Sequence, residues 1–322
     1  MMKELKEKLN RLGGDNVPFL FIIDFDMKEP LVLPLADVDD ERILYDINGF
    51  TNAKENRTNP ENIVFEKTPV NHEEYAKAFR FIQGELEKGN TLLANLTFPT
   101  RLETNLRLRD FFDLASEKYR LLYDDRFVLF SPETFVIMEN DTIRTFPMKG
   151  TIDAGIPGAA EIIMEDEKEH AEHVTIVDLM RNDLARVSKD VRVERFRYLT
   201  EITAKDRKLL QVSSEISGTL PSGWNRKLGD MLVGMLPAGS VSGAPKKKTV
   251  EILKKAEGYD RGFYTGVFGY YRDGYLESSV MIRFIEKTEG GLCYKSGGGI
   301  TAYSDCGKEY KEMTDKVYVK IT

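Results

Sequence analysis

The sequence has little cysteine. Cys293 and Cys306, in a chain of 322 residues, cannot build a disulfide framework, and their spacing is not that of a metal site. No apolar run is long enough to span a membrane. The opening stretch, MMKELKEKLNRL, is charged and amphipathic and carries none of the apolar core of a secretory signal. Excess positive charge is missing too. The 46 Lys and Arg face 53 Asp and Glu, which argues against a general nucleic-acid binder but leaves room for a local cationic pocket. No repeat, low-complexity tract or Pro/Ser-rich linker divides the chain. Hydrophobic residues make up 41%, enough apolar material for one large core or two smaller ones. A reduced, cytoplasmic protein with neither a nucleic-acid nor a membrane partner is expected.

Periodicity predicts mixed structure. Residues 17–25 (VPFLFIIDF) read as a buried strand, and 73–88 as a helix with Tyr75, Phe79, Ile82 and Leu86 on one stripe. TLLANLT at 91–97 reads as a strand and 107–120 as a helix, while short strands at 126–130 and 134–138 flank the turn Ser131-Pro132. Residues 165–184 suit a helix whose early acids favour the positive end of its dipole. Residues 245–257 suit another, with Pro245 in its first turn and Gly258 past its end. Residues 263–271, 275–286 and 292–296 read as a β-meander, and 306–317 as a last helix. Strands and helices mix without strict alternation, so an α+β fold with antiparallel sheets is expected rather than a doubly wound one.

The residues richest in chemistry are two Glu-x-x-Glu pairs, Glu169 with Glu172 and Glu309 with Glu312. Residues three apart share one face of a helix, so each pair can aim two carboxylates at one point. Brought together, the pairs would suit a hard cation such as Mg²⁺; apart, each is ordinary surface charge. Two of the three histidines, His170 and His173, flank the first pair, but their spacing is not that of a His-Glu-x-x-His zinc helix. Lys149, in Pro-Met-Lys-Gly-Thr at 147–151, is placed on a turn with little steric cover, where a desolvated amine acts as a nucleophile and a solvated one does not. Glu133 follows Ser131-Pro132 and is an acid candidate to pair with it. PAGSVSGAPKKK at 237–248 precedes a helix start and offers backbone N–H groups to an anion, but its spacing is not that of a Walker A loop, so the phosphate-binding reading is weak beside that of a plain helix-entry loop. Gly297–Gly299 allow close backbone approach or a bend, and Arg283, in the alternating stretch SSVMIRFIE, has the fork that grips a carboxylate.

Taken in order, these stretches resemble the chorismate-utilising enzymes, and within them the aminodeoxychorismate synthase component I branch. The resemblance rests on SPETF at 131–135, PMKGT at 147–151, EHVTIVDLMRNDLARV at 172–187, PAGSVSGAPK at 237–246, FYTGVFGY at 263–270, the stretch with Arg283, SGGGITAYSD at 296–305 and KEYKEMTDK at 308–316. It implies one catalytic domain over 1–322 with a shortened N-terminal part, built of two antiparallel sheets packed together with outer helices. It implies chorismate as substrate and Mg²⁺ as cofactor, with Glu172 and Glu312 as main ligands and Glu169 and Glu309 on metal-bound waters. Arg283 and Tyr264 match residues that hold the enolpyruvyl carboxylate. Lys316 and the Gly298–Gly299 backbone match further carboxylate contacts, and Thr151 is carried over as substrate-binding. Glu133 matches the acid that protonates the leaving hydroxyl.

Lys149 discriminates within the family. Relatives that make anthranilate, salicylate or isochorismate carry Ala there, whereas aminodeoxychorismate synthases typically carry Lys, which is thought to attack ring C2 before ammonia enters at C4. The resemblance thus implies 4-amino-4-deoxychorismate, for 4-aminobenzoate and folate, with ammonia supplied by a separate glutamine amidotransferase subunit. This chain shows no Gly-x-Cys-x-Gly nucleophile; its cysteines lie in LCYK and SDCGK. Two positions depart from the pattern: Leu93 stands where relatives often have Gln, and Gln211 where many have His. The short N-terminal part makes feedback by tryptophan unexpected. The alternatives are anthranilate synthase component I, which aminates C2, and a non-catalytic anion- or metal-binding protein that kept the fold.

Overall fold

The computed structural model describes residues 1–54, 62–204 and 207–319. The chain forms two compact units. One comprises residues 1–36, 133–240 and 267–279; the other comprises 37–132, 241–266 and 280–322. Each contributes one nine-stranded sheet among the described residues, and the strand pairs in both are antiparallel. The expected α+β class with two antiparallel sheets is what the chain adopts.

In the first unit the strand order is Met148–Asp153, Arg207–Thr219, Thr142–Thr145, Thr134–Glu139, Tyr275–Val280, Val267–Arg272, Phe19–Ile23 and Leu31–Pro34, with Lys189–Ala204 also on Arg207–Thr219. All five residues of Phe19–Ile23 are buried, as the apolar run predicts. Helix Glu167–Ala185 packs on strands Met148–Asp153, Lys189–Ala204 and Arg207–Thr219. Helix Met2–Gly14 lies against helix Leu228–Met235 so closely that a Cβ on Gly229 would stand 2.3 Å from the Lys6 carbonyl oxygen.

In the second unit the order is Gly243–Ala244, Leu93–Thr104, Gly291–Ile300, Phe284–Thr288, Phe127–Ser131, Tyr119–Tyr123, Ile43–Ile47 and Phe50–Thr51, with Phe65–Thr68 on Leu93–Thr104. Helix His72–Glu87 buries Tyr75, Phe79 and Ile82 against Leu96, Phe98, Ile252, Leu253 and Met313, while Leu86 is partly buried beside them. Its N-cap Asn71 accepts the Glu74 N–H at 2.9 Å. Helix Lys246–Glu257 starts after Pro245 and ends at Gly258 with φ of 68°, as its flanking residues predict.

Four sequence expectations need correction. The helix expected over 107–120 stops at Leu114, because Ala115 turns to an extended ψ of 142° and Tyr119–Tyr123 joins a sheet. The expected meander is divided: Val267–Arg272 and Tyr275–Val280 belong to the first sheet, Phe284–Thr288 and Gly291–Ile300 to the second. The break falls at Arg283, whose φ of 50° is incompatible with a continuous strand. Residues 165–184 contain the ends of two helices, Ala159–Glu165 and Glu167–Ala185, separated by the N-cap Asp166. Finally, Gly297–Gly299 do not follow a strand but lie inside Gly291–Ile300.

Candidate active site

In the first unit, PMKGT is a strand rather than a turn. Met148 pairs with Ser213 and Thr151 with Gln211, and the register slips between them. Lys149 and Gly150 occupy that bulge, which re-aims a side chain away from the regular ladder. Gly150 has φ of 80°, and a Cβ there would stand 2.7 Å from Glu169 Oε2. The glycine therefore serves both the backbone conformation and the approach of a carboxylate. Lys149 is half-buried, and its ammonium makes no hydrogen bond or ion pair among the described residues. Thr151 is exposed, directly across from the half-buried Gln211.

Glu169 and Glu172 sit half-buried in the first two turns of their helix. Asp166 caps it by accepting the Glu169 N–H at 2.8 Å. The next residue, His173, is fully buried, with Nε2 2.7 Å from Ser214 Oγ. Burial pushes its pKa down to about 4, and the nearby Arg197, His170 and Lys149 charges act in the same direction. Ser214 also takes the Arg197 N–H at 2.9 Å, and its own N–H donates to the Pro147 carbonyl at 2.9 Å. One serine thus links the glutamate helix to the strand of Lys149. Glu133 is half-buried, and its carboxylate accepts a hydrogen bond from Ser240 Oγ.

In the second unit, the side chains of Glu309, Glu312 and Lys316 gather around Gly298. A Cβ there would lie 3.5 Å from Glu309 Oε2, 3.8 Å from Glu312 Oε1 and 3.9 Å from Lys316 Nζ. Glu312 pairs with Lys316 at 2.7 Å, and Lys316 Nζ donates to the Gly297 carbonyl at 3.0 Å. Glu309 is buried and Glu312 exposed, although they share a helix face, because that face runs from the sheet outward. Asp305 caps the helix through the Lys308 N–H at 2.9 Å, as Asp166 caps the other. Arg283, between strands Tyr275–Val280 and Phe284–Thr288, places Nη1 2.7 Å from Glu117 Oε1, with its guanidinium over the Tyr318 ring at 5.0 Å. Tyr264 is buried, which raises its hydroxyl pKa above the ordinary value.

Sequence reading passed over Arg261 and Glu257, the spine of this unit. All five guanidinium N–H groups of Arg261 have acceptors. Nε donates to Glu257 Oε2 at 2.9 Å; Nη1 donates to the Val241 carbonyl at 2.8 Å and to Thr265 Oγ1 at 3.2 Å; Nη2 donates to the Asn95 carbonyl at 2.6 Å and to Glu257 Oε1 at 2.5 Å. Glu257 in turn accepts the Thr97 N–H at 2.9 Å. Asn95 and Thr97 pair with Gly299 and Gly297. The available signal was the Glu-to-Arg i,i+4 spacing, which looks like any surface pair.

The carboxylates supply hard oxygen donors; Glu169 approaches Gly150, and Glu309 and Glu312 approach Gly298, with no side chain on either glycine in the way, and such donors suit a cation such as Mg²⁺. Among the described residues no group of three or more His, Cys, Asp or Glu stands close enough to hold a metal ion. No helix among them is long and apolar enough to cross a membrane.

The whole chain is similar to an uncharacterised PabA-like protein of Pasteurella multocida, 45% identical over 316 residues that cover 98% of each chain. It is 33% identical over 259 residues to aminodeoxychorismate synthase component 1 of Salmonella typhimurium, covering 76% of this chain and 56% of that one. Its fold is that of anthranilate synthase component I from Streptococcus pneumoniae, with a TM-score of 0.66 at 24% identity over 79% of this chain and 58% of that one. The model of the chorismate binding enzymes matches residues 34–321. With the match spanning both units and every motif described above, this chain belongs to the family of chorismate binding enzymes.

Proposed function

We propose that this chain is the chorismate-aminating component of an aminodeoxychorismate synthase, forming 4-amino-4-deoxychorismate for 4-aminobenzoate and folate. Similarity reaches both kinds of aminating relative, so the position of amination is read from the site. The observation that carries the reading is Lys149: an amine lifted out of the ladder by a bulge, half-buried, and bound to no carboxylate among the described residues. An amine must be unprotonated and unencumbered to act as a nucleophile.

In this reading Lys149 Nζ forms a bond to ring C2, the ring double bond shifts, and the C4–O bond breaks. The hydroxyl leaves as water with the proton of Glu133. Ammonia then forms the C4–N bond, the double bond shifts back, and the C2–N bond breaks to return Lys149. The incoming nitrogen gives a proton back to Glu133, so the residues end as they began. Arg283, Tyr264, Lys316 and the Gly298–Gly299 backbone hold the substrate carboxylates, and Thr151 contacts the substrate. Mg²⁺, held by Glu172 and Glu312 with Glu169 and Glu309 on its waters, would supply neutralising charge for the ring carboxylate. Ammonia comes from a glutamine amidotransferase partner in a cytoplasmic setting.

The test is product identification. The purified chain with chorismate, Mg²⁺ and ammonium should give the 4-amino isomer, faster as rising pH frees more ammonia, and should not use glutamine. Formation of the 2-amino isomer, which yields anthranilate, would assign the chain to the other aminating branch instead.

A further inference from the structure

We propose that Ser240, in the loop PAGSVSGAPK, is a positioning residue for Glu133 that also stabilises the charge Glu133 acquires on giving up its proton. The proposal rests on the reading of Glu133 as the proton donor. Glu133 is fixed at two places. Its main-chain carbonyl accepts the Ser279 hydroxyl at 2.8 Å, and its carboxylate Oε1 accepts the Ser240 hydroxyl. Ser240 is itself set by its neighbour. The Gly239 N–H donates to Asp183 Oδ2 at 3.1 Å, and Asp183 is buried on the same helix that carries Glu169 and Glu172. A Cβ on Gly239 would stand 2.7 Å from Asp183 Oδ2 and 2.9 Å from Leu179 Cγ, so only glycine lets the loop come down this far. The loop whose hydroxyls and N–H groups looked suited to an anion thus directs one hydroxyl at a carboxylate of the chain itself.

The chemistry follows from that contact. A hydroxyl donating to Oε1 favours the form of the acid with its proton on Oε2. When that proton leaves, negative charge appears on a carboxylate already engaged by a donor, and a hydrogen bond to a charged acceptor is stronger than one to a neutral acceptor. The bond is therefore worth more after proton transfer than before, which accelerates the step.

Ser240→Ala removes one oxygen and leaves the loop backbone and its Asp183 contact in place. With Mg²⁺, chorismate and a fixed concentration of free ammonia, kcat should fall about tenfold while the KM for chorismate stays within about twofold. Losing a hydrogen bond to the charged form raises an acid's pKa, so the alkaline limb of kcat, where Glu133 loses its proton, should move up by about one pH unit. Ser240→Thr keeps the hydroxyl and should restore most of the rate. Wild-type kcat and an unmoved limb in Ser240→Ala would overturn the proposal. A carboxyl ¹³C titration, assigned by Glu133→Gln, reads the pair without turnover: the Glu133 resonance should titrate higher in Ser240→Ala, and coincident curves would overturn it as well. If the wild type fails to consume chorismate, the functional reading falls, and the titration alone decides whether Ser240 holds Glu133.

Discussion

The two units solve different problems with opposite kinds of backbone. In the first, the groups proposed to react sit where regular structure is interrupted: Lys149 in a bulge, Glu133 just before the start of strand Thr134–Glu139. In the second, the glycine segment lies inside an unbroken ladder that pairs Leu292 through Ile300 with Leu102 through Ala94. Behind that ladder is a buried arginine with every N–H engaged. In the proposed reaction Lys149 has to leave its ladder to reach a ring carbon, and the glycine backbone proposed to hold a carboxylate has to stay where it is put. A Cβ on Gly297 would lie 2.4 Å from the Leu96 carbonyl oxygen, so close strand approach and not turning explains that glycine.

The sharpest way to break this contrast is at the bulge. Lys149→Ala should lower formation of the 4-amino product on the order of a thousandfold or more, and the space left at ring C2 should admit ammonia and give some 2-amino product. Chromatography of both isomers reads the two effects together. On the recognition side, Arg261→Ala strips a buried charge pair of one partner and should lower unfolding stability by about 3–5 kcal/mol in a denaturant titration. Glu312→Gln should weaken Mg²⁺ and chorismate binding together by about 10–100-fold, as calorimetry would show, without a matching loss of stability. Gly150→Ala imposes a side chain on a positive φ beside Glu169 and should cost about 1–2 kcal/mol of stability and a part of the activity. If Gly150→Ala left both unchanged, the bulge would not be what presents Lys149.

Much of this was legible from composition and order. The apolar run Phe19–Ile23, the stripe of Tyr75, Phe79 and Ile82, and the flanks of helix Lys246–Glu257 carry local signals that tertiary context leaves alone. The long hairpin of Lys189–Ala204 and Arg207–Thr219 was not read. Its first strand is dense with charge, and three register shifts between Lys189 and Tyr198 break the alternation on which a strand reading depends. The division of 263–300 between two sheets was equally hidden, because it turns on the positive φ of Arg283, a conformation arginine rarely adopts. For the proposed site, the glutamate pairs and Lys149 stood out as candidates because the chemistry proposed for them lies in residue type and spacing. Ser240, Asp183, Ser214 and Arg261 did not, because their roles depend on partners from 41 to 166 residues away. Sequence spacing carries no trace of such contacts.

The central claim is that Lys149 acts covalently. Intact-mass spectrometry of the wild type with chorismate and Mg²⁺, and no ammonia, tests it most directly. The account predicts a substrate-derived adduct that maps to Lys149 on digestion and disappears when ammonium is added. An unmodified protein that nonetheless forms the 4-amino product at full rate once ammonium is present would contradict it and reduce Lys149 to an electrostatic role.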